Sequence, residues 1–271
     1  FWLKSSVKIL RTMGHLISTL AFPVPPKEWG EESLKYRQPL DIPIASGETI
    51  RAIYIQNFRT PCRTIFYSHG NAEDLGLCIP YLDRMSEVCS ANVFAYDYCG
   101  YGFSGGVASE ENCYLSVDSA YQHLVERERV DPNLIVAFGR SIGSGPTVDL
   151  VSRHPEIRGM VLQSPIESGA RAVFGETVSW LGYSLDIFKN YEKITQCKQK
   201  VLVMHGTADT VVPHGNGVAI HNACENAVEP LWLSGRGHND MPDIQCLKKV
   251  KEFLDDLCLP AGQQSSRQRT R

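Results

Sequence analysis

Short apolar runs recur along this chain, and between them lie longer stretches with helical periodicity. Thr64–Ser68, Asn92–Tyr96, residues 134–138, Gly159–Gln163, and residues 201–204 and 228–233 read as strands. Helices are expected over Leu75–Cys89, residues 109–125, Ser144–Arg153 and a final segment after residue 243. The second of these puts Tyr114, Val117, Tyr121 and Leu124 on one face, and the last puts Ile244, Leu247, Val250, Leu254 and Leu257 on one face. A strand followed by a helix and another strand makes a parallel pair with the helix packed across it. The pattern therefore predicts an α/β fold with a mostly parallel central sheet covered by helices on both faces. An opening hairpin is expected from residues 41–44 and Thr49–Ile55.

A chain of 271 residues without an internal repeat or a linker fits one such unit. It is placed at residues 40–258. Residues 1–39 form a lead-in and 259–271 a Gln/Ser/Arg-rich disordered tail. Within the lead-in, Lys4, Lys8, Arg11 and His15 interrupt an apolar run too often for a membrane span. Two readings stay open there: an amphipathic helix on anionic lipid, or a helix packed on its own domain.

Apolar residues make up 43%, charged residues 21%, and the net charge is −3, so nothing favours a polyanionic partner and nucleic acid is excluded. The nine cysteines show neither a C-x-x-C pair nor zinc spacing, which points to a reducing, cytoplasmic compartment. No P-loop, EF-hand or H-E-x-x-H pattern occurs, so no metal or cofactor is expected. Gly100-Tyr101-Gly102-Phe103-Ser104-Gly105 matches a dinucleotide fingerprint, but it runs on through Gly106-Val107-Ala108 before any helix begins. It reads as a flexible loop at the mouth of a site.

Chemistry concentrates where strands end. Residues 134–138 lead into Gly139-Arg140-Ser141-Ile142-Gly143 and then a helix, the strand–turn–helix context that exposes a nucleophilic serine. His205-Gly206-Thr207-Ala208-Asp209 follows one later strand and Gly235-Arg236-Gly237-His238-Asn239-Asp240 follows the last. The chain order Ser141, Asp209, His238 is that of the alpha/beta-hydrolase fold, with nucleophile, orienting acid and base in turn. Glu167 also follows a strand and stays open as the acid. His205 and His214 compete more weakly as bases. An oxyanion hole is expected from the backbone N–H of Ile142 and one from Asn71 or Ala72. Residues 165–200 provide room for a small cap, in which Ile166, Phe174, Val178, Trp180, Leu181 and Phe188 are candidates to line an acyl groove or to pack the cap on the domain.

Taken together, His69-Gly70-Asn71-Ala72-Glu73-Asp74, Asp97-Tyr98-Cys99-Gly100-Tyr101-Gly102, the Gly139–Pro146 stretch and Gly237-His238-Asn239-Asp240 resemble the alpha/beta-hydrolase-domain 17 family. Gln163-Ser164-Pro165 and Ala227-Val228-Glu229-Pro230-Leu231-Trp232 extend the likeness over roughly residues 40–257. The resemblance implies a membrane-associated protein depalmitoylase. Ser141, Asp209 and His238 would carry thioester hydrolysis, S-acylated proteins would be the partners, and the cytosolic face of a membrane the location. It also implies a lipidated, cysteine-clustered N-terminus, and residues 1–43 contain no cysteine. From the residues alone, a carboxylesterase, lipase or aminopeptidase-like hydrolase stays open, as does a non-catalytic binding module.

Overall fold

The computed structural model describes residues 22, 24, 34, 37–58, 63–174 and 186–258. The N-terminal helix expected before residue 22 and the tail 259–271 lie outside them. The architecture is one eight-stranded sheet in the order β1-β2-β4-β3-β5-β6-β7-β8. Strands β1 (Leu40–Pro43) and β2 (Thr49–Ile55) form the antiparallel opening hairpin, and β2 pairs antiparallel with β4 (Asn92–Tyr96). From there every pairing is parallel: β3 (Thr64–Ser68), β5 (Ile135–Arg140), β6 (Gly159–Gln163), β7 (Lys200–Gly206) and β8 (Leu231–Leu233).

Helices α1 (Leu75–Cys89), α2 (Glu110–Glu126), α3 (Ser144–Arg153), α4 (Gly169–Phe174), α5 (Asn190–Lys193), α6 (His214–Ala223) and α7 (Asp243–Cys258) accompany the sheet, with short 3-10 turns at Pro132–Leu134, Ser141–Gly143 and Ile194–Gln196. Alternate residues of a strand face opposite sides of a sheet, and here both sides are apolar. Phe66, Phe94, Ala137, Leu162 and Val203 meet Val117 and Leu124 of α2 and Val148 of α3 on one side. Tyr67, Val93, Phe138, Val161 and Leu202 meet Leu82 of α1 and Leu247 and Val250 of α7 on the other. Local chemistry starts the helices where the sequence requires it. The Asp74 carboxylate accepts from the Leu77 N–H at 3.0 Å, and the Ser109 hydroxyl accepts from the Asn112 N–H at 3.1 Å.

The structure departs from the sequence reading at several places. Strand β7 runs to Gly206, so His205 sits inside the ladder opposite Trp232. Strand β8 is shorter than residues 228–233, because Pro230 has no N–H to donate to a ladder. Ile244 is exposed, and Cys246 and Phe253 complete the buried stripe of α7 in its place. Helix α6 went unread because Gly215 and Gly217 lower its helical propensity. The loop from Gly100 to Gly105, read as flexible, is a packed turn: Gly100 N–H donates to Gly105 O at 2.8 Å, and Tyr101 is fully buried.

Candidate active site

The turn after β5 is built for close approach. A Cβ on Gly143 would lie 2.3 Å from Ser68 O and 2.5 Å from His69 O, and one on Gly139 would lie 2.7 Å from Gly143 O. Only glycine lets the turn fold back against the end of β3 and onto the first turn of α3. The turn puts Ser141 at φ +53°, a left-handed conformation that costs a non-glycine residue about 1–3 kcal/mol. Side chains hold it from below. Ser144 Oγ donates to Ser141 O at 2.6 Å, while Ile166 N–H and Asn190 Nδ2 donate to Ser144 Oγ at 3.2 and 3.3 Å. Gly143→Ala is expected to lower stability by about 1–3 kcal/mol, because the atoms it meets are backbone and cannot step aside. A denaturant midpoint unchanged from the parent would refute this.

Three side chains from distant parts of the chain meet above this turn. His238 Nε2 lies 3.0 Å from Ser141 Oγ, and His238 Nδ1 lies 2.7 Å from Asp209 Oδ2. Asp209 Oδ1 accepts from the N–H groups of Val211 and Val212 at 2.9 and 2.8 Å. Burial alone would push the Asp209 carboxyl up. The hydrogen bonds from His205, His238 and Val212 outweigh it and hold the group well below the usual carboxylate range. An ionised Asp209 fixes the Nδ1–H tautomer of His238 and leaves Nε2 free to take a proton from the serine.

The other candidates are placed elsewhere. Glu167 is buried, and its Oε1 accepts from Arg171 at 2.8 Å. His214 packs edge-on to Trp232, with ring centroids 4.8 Å apart. Of the oxyanion candidates, Ile142 occupies the short 3-10 turn before α3, where backbone amides lack intrahelical acceptors. The Ala72 N–H donates to Asn71 Oδ1 at 3.2 Å and so is already engaged by its neighbour; that same oxygen accepts from Tyr101 at 2.7 Å. Ala72 is therefore not a free donor here. Beneath this loop, burial pushes Asp97 up to about 8 and His69 down to about 4, and Asp97 Oδ1 lies 3.6 Å from His69 Nε2.

The acyl-groove candidates divide. Phe188 is fully buried, edge-on to Phe22 and Tyr114 and pressed against Gly145, so it is core rather than groove lining. Ile166 is likewise buried in the core. Phe174 ends α4, and Val178, Trp180 and Leu181 lie outside the described residues. The cavity that does touch His238, about 160 Å³, is bordered mainly by polar groups, among them Glu73, Tyr81, Arg140 and Asn239.

Arg140 escaped the sequence reading. Its guanidinium pairs with Glu73, which accepts from Gly70 N–H at 2.8 Å, and donates to Asn239 Oδ1 at 3.0 Å. One side chain thus ties together the loops carrying Ser141, Asn71 and His238. Among the described residues no cluster has the make-up of a metal site, and no helix is long and apolar enough to cross a membrane.

The chain is similar to several known proteins. The serine aminopeptidase S33 family model matches residues 59–183. The mouse alpha/beta hydrolase domain-containing protein 17C is 44% identical over 193 residues, 70% of this chain and 59% of that protein. The 17B protein of Xenopus laevis is 37% identical over 209 residues, 77% of this chain and 72% of that protein. The chain therefore spans about 59% of the length of the mouse relative. In fold it is similar to an esterase of Pyrococcus furiosus, at 20% identity and a TM-score of 0.66 over 86% of this chain and 98% of that one. It is also similar to an alpha-beta hydrolase of Vibrio vulnificus, at 14% identity and a TM-score of 0.71 over 92% and 93%.

Proposed function

The chain belongs to the alpha/beta hydrolase domain-containing protein 17 family, and from that premise we propose that it is a serine hydrolase that cleaves long-chain acyl thioesters from cysteines of membrane-associated proteins. The observation that carries the hydrolytic reading is the unbroken line from Ser141 Oγ through His238 to Asp209, at 3.0 and 2.7 Å. The thioester preference is supported by the family resemblance of the strand-end motifs.

In the proposed reaction Ser141 Oγ attacks the acyl carbonyl carbon while His238 Nε2 takes the serine proton. The carbonyl oxygen becomes an oxyanion, which the Ile142 N–H and the loop at Asn71 stabilise. Removing one such donor costs about 2.7–4 kcal/mol in enzymes of this kind. Collapse of the tetrahedral species breaks the carbon–sulfur bond, and the cysteine leaves with the proton from His238. A thiol, with an ordinary pKa of about 8.5, needs less help to leave than an alcohol. Water then attacks the acyl-serine and gives a proton to His238; the carbon–Oγ bond breaks, Ser141 Oγ takes that proton back, and the fatty acid is released. The Asp209 carboxylate stays ionised throughout and stabilises the imidazolium.

Turnover of an S-palmitoyl peptide, compared with short- and long-chain oxygen esters of matched concentration, tests the substrate. The S-palmitoyl peptide is expected to be turned over with kcat/KM at least about tenfold above either ester, a difference of about 1.4 kcal/mol in transition-state binding. A preference for short oxygen esters would overturn the thioesterase reading and favour a carboxylesterase.

A further inference from the structure

Asp209 faces two histidines, and the serine needs only one of them. His205, in β7, is wholly buried; its Nε2 lies 2.9 Å from Val212 O and 3.2 Å from Asp209 Oδ2. A carbonyl oxygen can only accept, so Nε2 carries the hydrogen, directed at Val212 O and close beside Asp209 Oδ2. That carboxylate oxygen is the one His238 also uses. The His205 Nδ1 has no hydrogen-bond partner, and a Cβ on Gly217 of α6 would sit 2.3 Å from it. The bare glycine leaves the ring just enough space to present Nε2, and not Nδ1, to the acid.

We propose that His205 is a positioning residue for the hydrolytic reaction: by donating toward Asp209 Oδ2 it orients the carboxylate and draws off part of its charge, and so sets the pH at which His238 becomes a competent base. This rests on the serine-hydrolase reading. Without the second donor, Asp209 Oδ2 would carry more negative charge and hold a proton on His238 more strongly. The acid limb of the pH–rate profile would then move to higher pH. The groups facing His205 are few. From its own loop comes Asp209, with His238 beyond it. Helix α6 contributes His214, edge-on with ring centroids 5.6 Å away, and β8 presents the uncharged Trp232. Burial lowers the His214 pKa, so it adds little positive charge near neutral pH.

The test uses the pH dependence of the second-order rate constant for fluorophosphonate labelling, which needs neutral His238 but no known substrate. His205→Asn replaces the imidazole with an amide that cannot reach as far as Nε2, whereas His205→Gln places an amide donor near it. The acid limb of His205→Asn is expected to shift up by about half a pH unit, lowering labelling roughly threefold below the midpoint, with His205→Gln restoring it. A limb that stays in place while both variants lose activity in proportion to their folded fraction would make His205 merely structural. If neither variant folds, nitrogen-15 NMR of the unaltered protein decides: a proton on His205 Nδ1 rather than Nε2 overturns the proposal. Ser141→Ala tests the underlying reading separately, since it removes labelling at every pH rather than moving the limb.

Discussion

Ser141→Ala is expected to abolish fluorophosphonate labelling and to lower kcat on the order of 10⁶-fold, as loss of the nucleophile does in serine hydrolases. The fold should survive. Ser141 is buried, but the Ser144, Ile166 and Asn190 hydrogen bonds that hold the turn use its carbonyl or lie beyond it. What disappears is the attacking oxygen and its contact with His238. Thermal melting within a few degrees of the parent, with labelling gone, is the expected pair of results. Undiminished labelling would mean that the nucleophile lies elsewhere, and the geometry around Ser141 would then be only a tight turn.

Asp209→Asn is expected to lower kcat by about 10⁴ while leaving substrate binding nearly unchanged, for a reason visible in the donor count. The carboxylate accepts from Val211 and Val212 N–H at one oxygen and from His238 at the other, with His205 Nε2 nearby. An amide can satisfy the two backbone donors with its single oxygen. Its NH₂ then confronts His238 Nδ1–H and His205 Nε2–H, donor against donor. The relief is to move the His238 proton to Nε2, where it cannot accept from Ser141. Measured kcat and KM, with a pH profile, would check this. A kcat reduced less than about tenfold would show that Asp209 is not the orienting acid.

The same carboxylate ties stability to acidity. Its folded-state pKa lies below the unfolded value, so its contribution is present above the ordinary carboxylate range and is withdrawn as pH falls. The Asp97 carboxyl works in the opposite sense. Burial raises it to about 8, so it opposes folding increasingly as pH climbs from the ordinary carboxylate value toward 8.

Periodicity made the scaffold legible. The limits of β3, α1, β4, α3 and β6 follow from runs of apolar residues ended by polar or turn residues, and the structure has the same limits. The strand-end rule likewise pointed to Ser141, Asp209 and His238, and the structure brings these three together. Contacts between side chains on loops far apart in sequence have no such signal. Arg140 reaches Asn239 and Ser144 is met by Asn190, yet neither pair is marked by spacing or composition. His205 read only as a weaker competitor for the base, because nothing in its neighbours tells which way its Nε2 points. Phe188 misled in the other direction, since an apolar residue in a presumed cap looks the same whether it faces a ligand or fills the core.

Strand β8 carries a last consequence. His238 follows a three-residue rim strand paired with β7 through Met204–Leu231, His205–Trp232 and Gly206–Leu233, with one further bridge between Val201 and Ala227. Ser141 hangs instead from β5, flanked by β3 and β6 in the interior of the sheet. Edges open more readily than centres. Warming or mild denaturant should therefore release the base while the nucleophile's cradle still stands, so that catalysis fades ahead of the melt and returns on cooling. The proposed activity would be lost before the fold is.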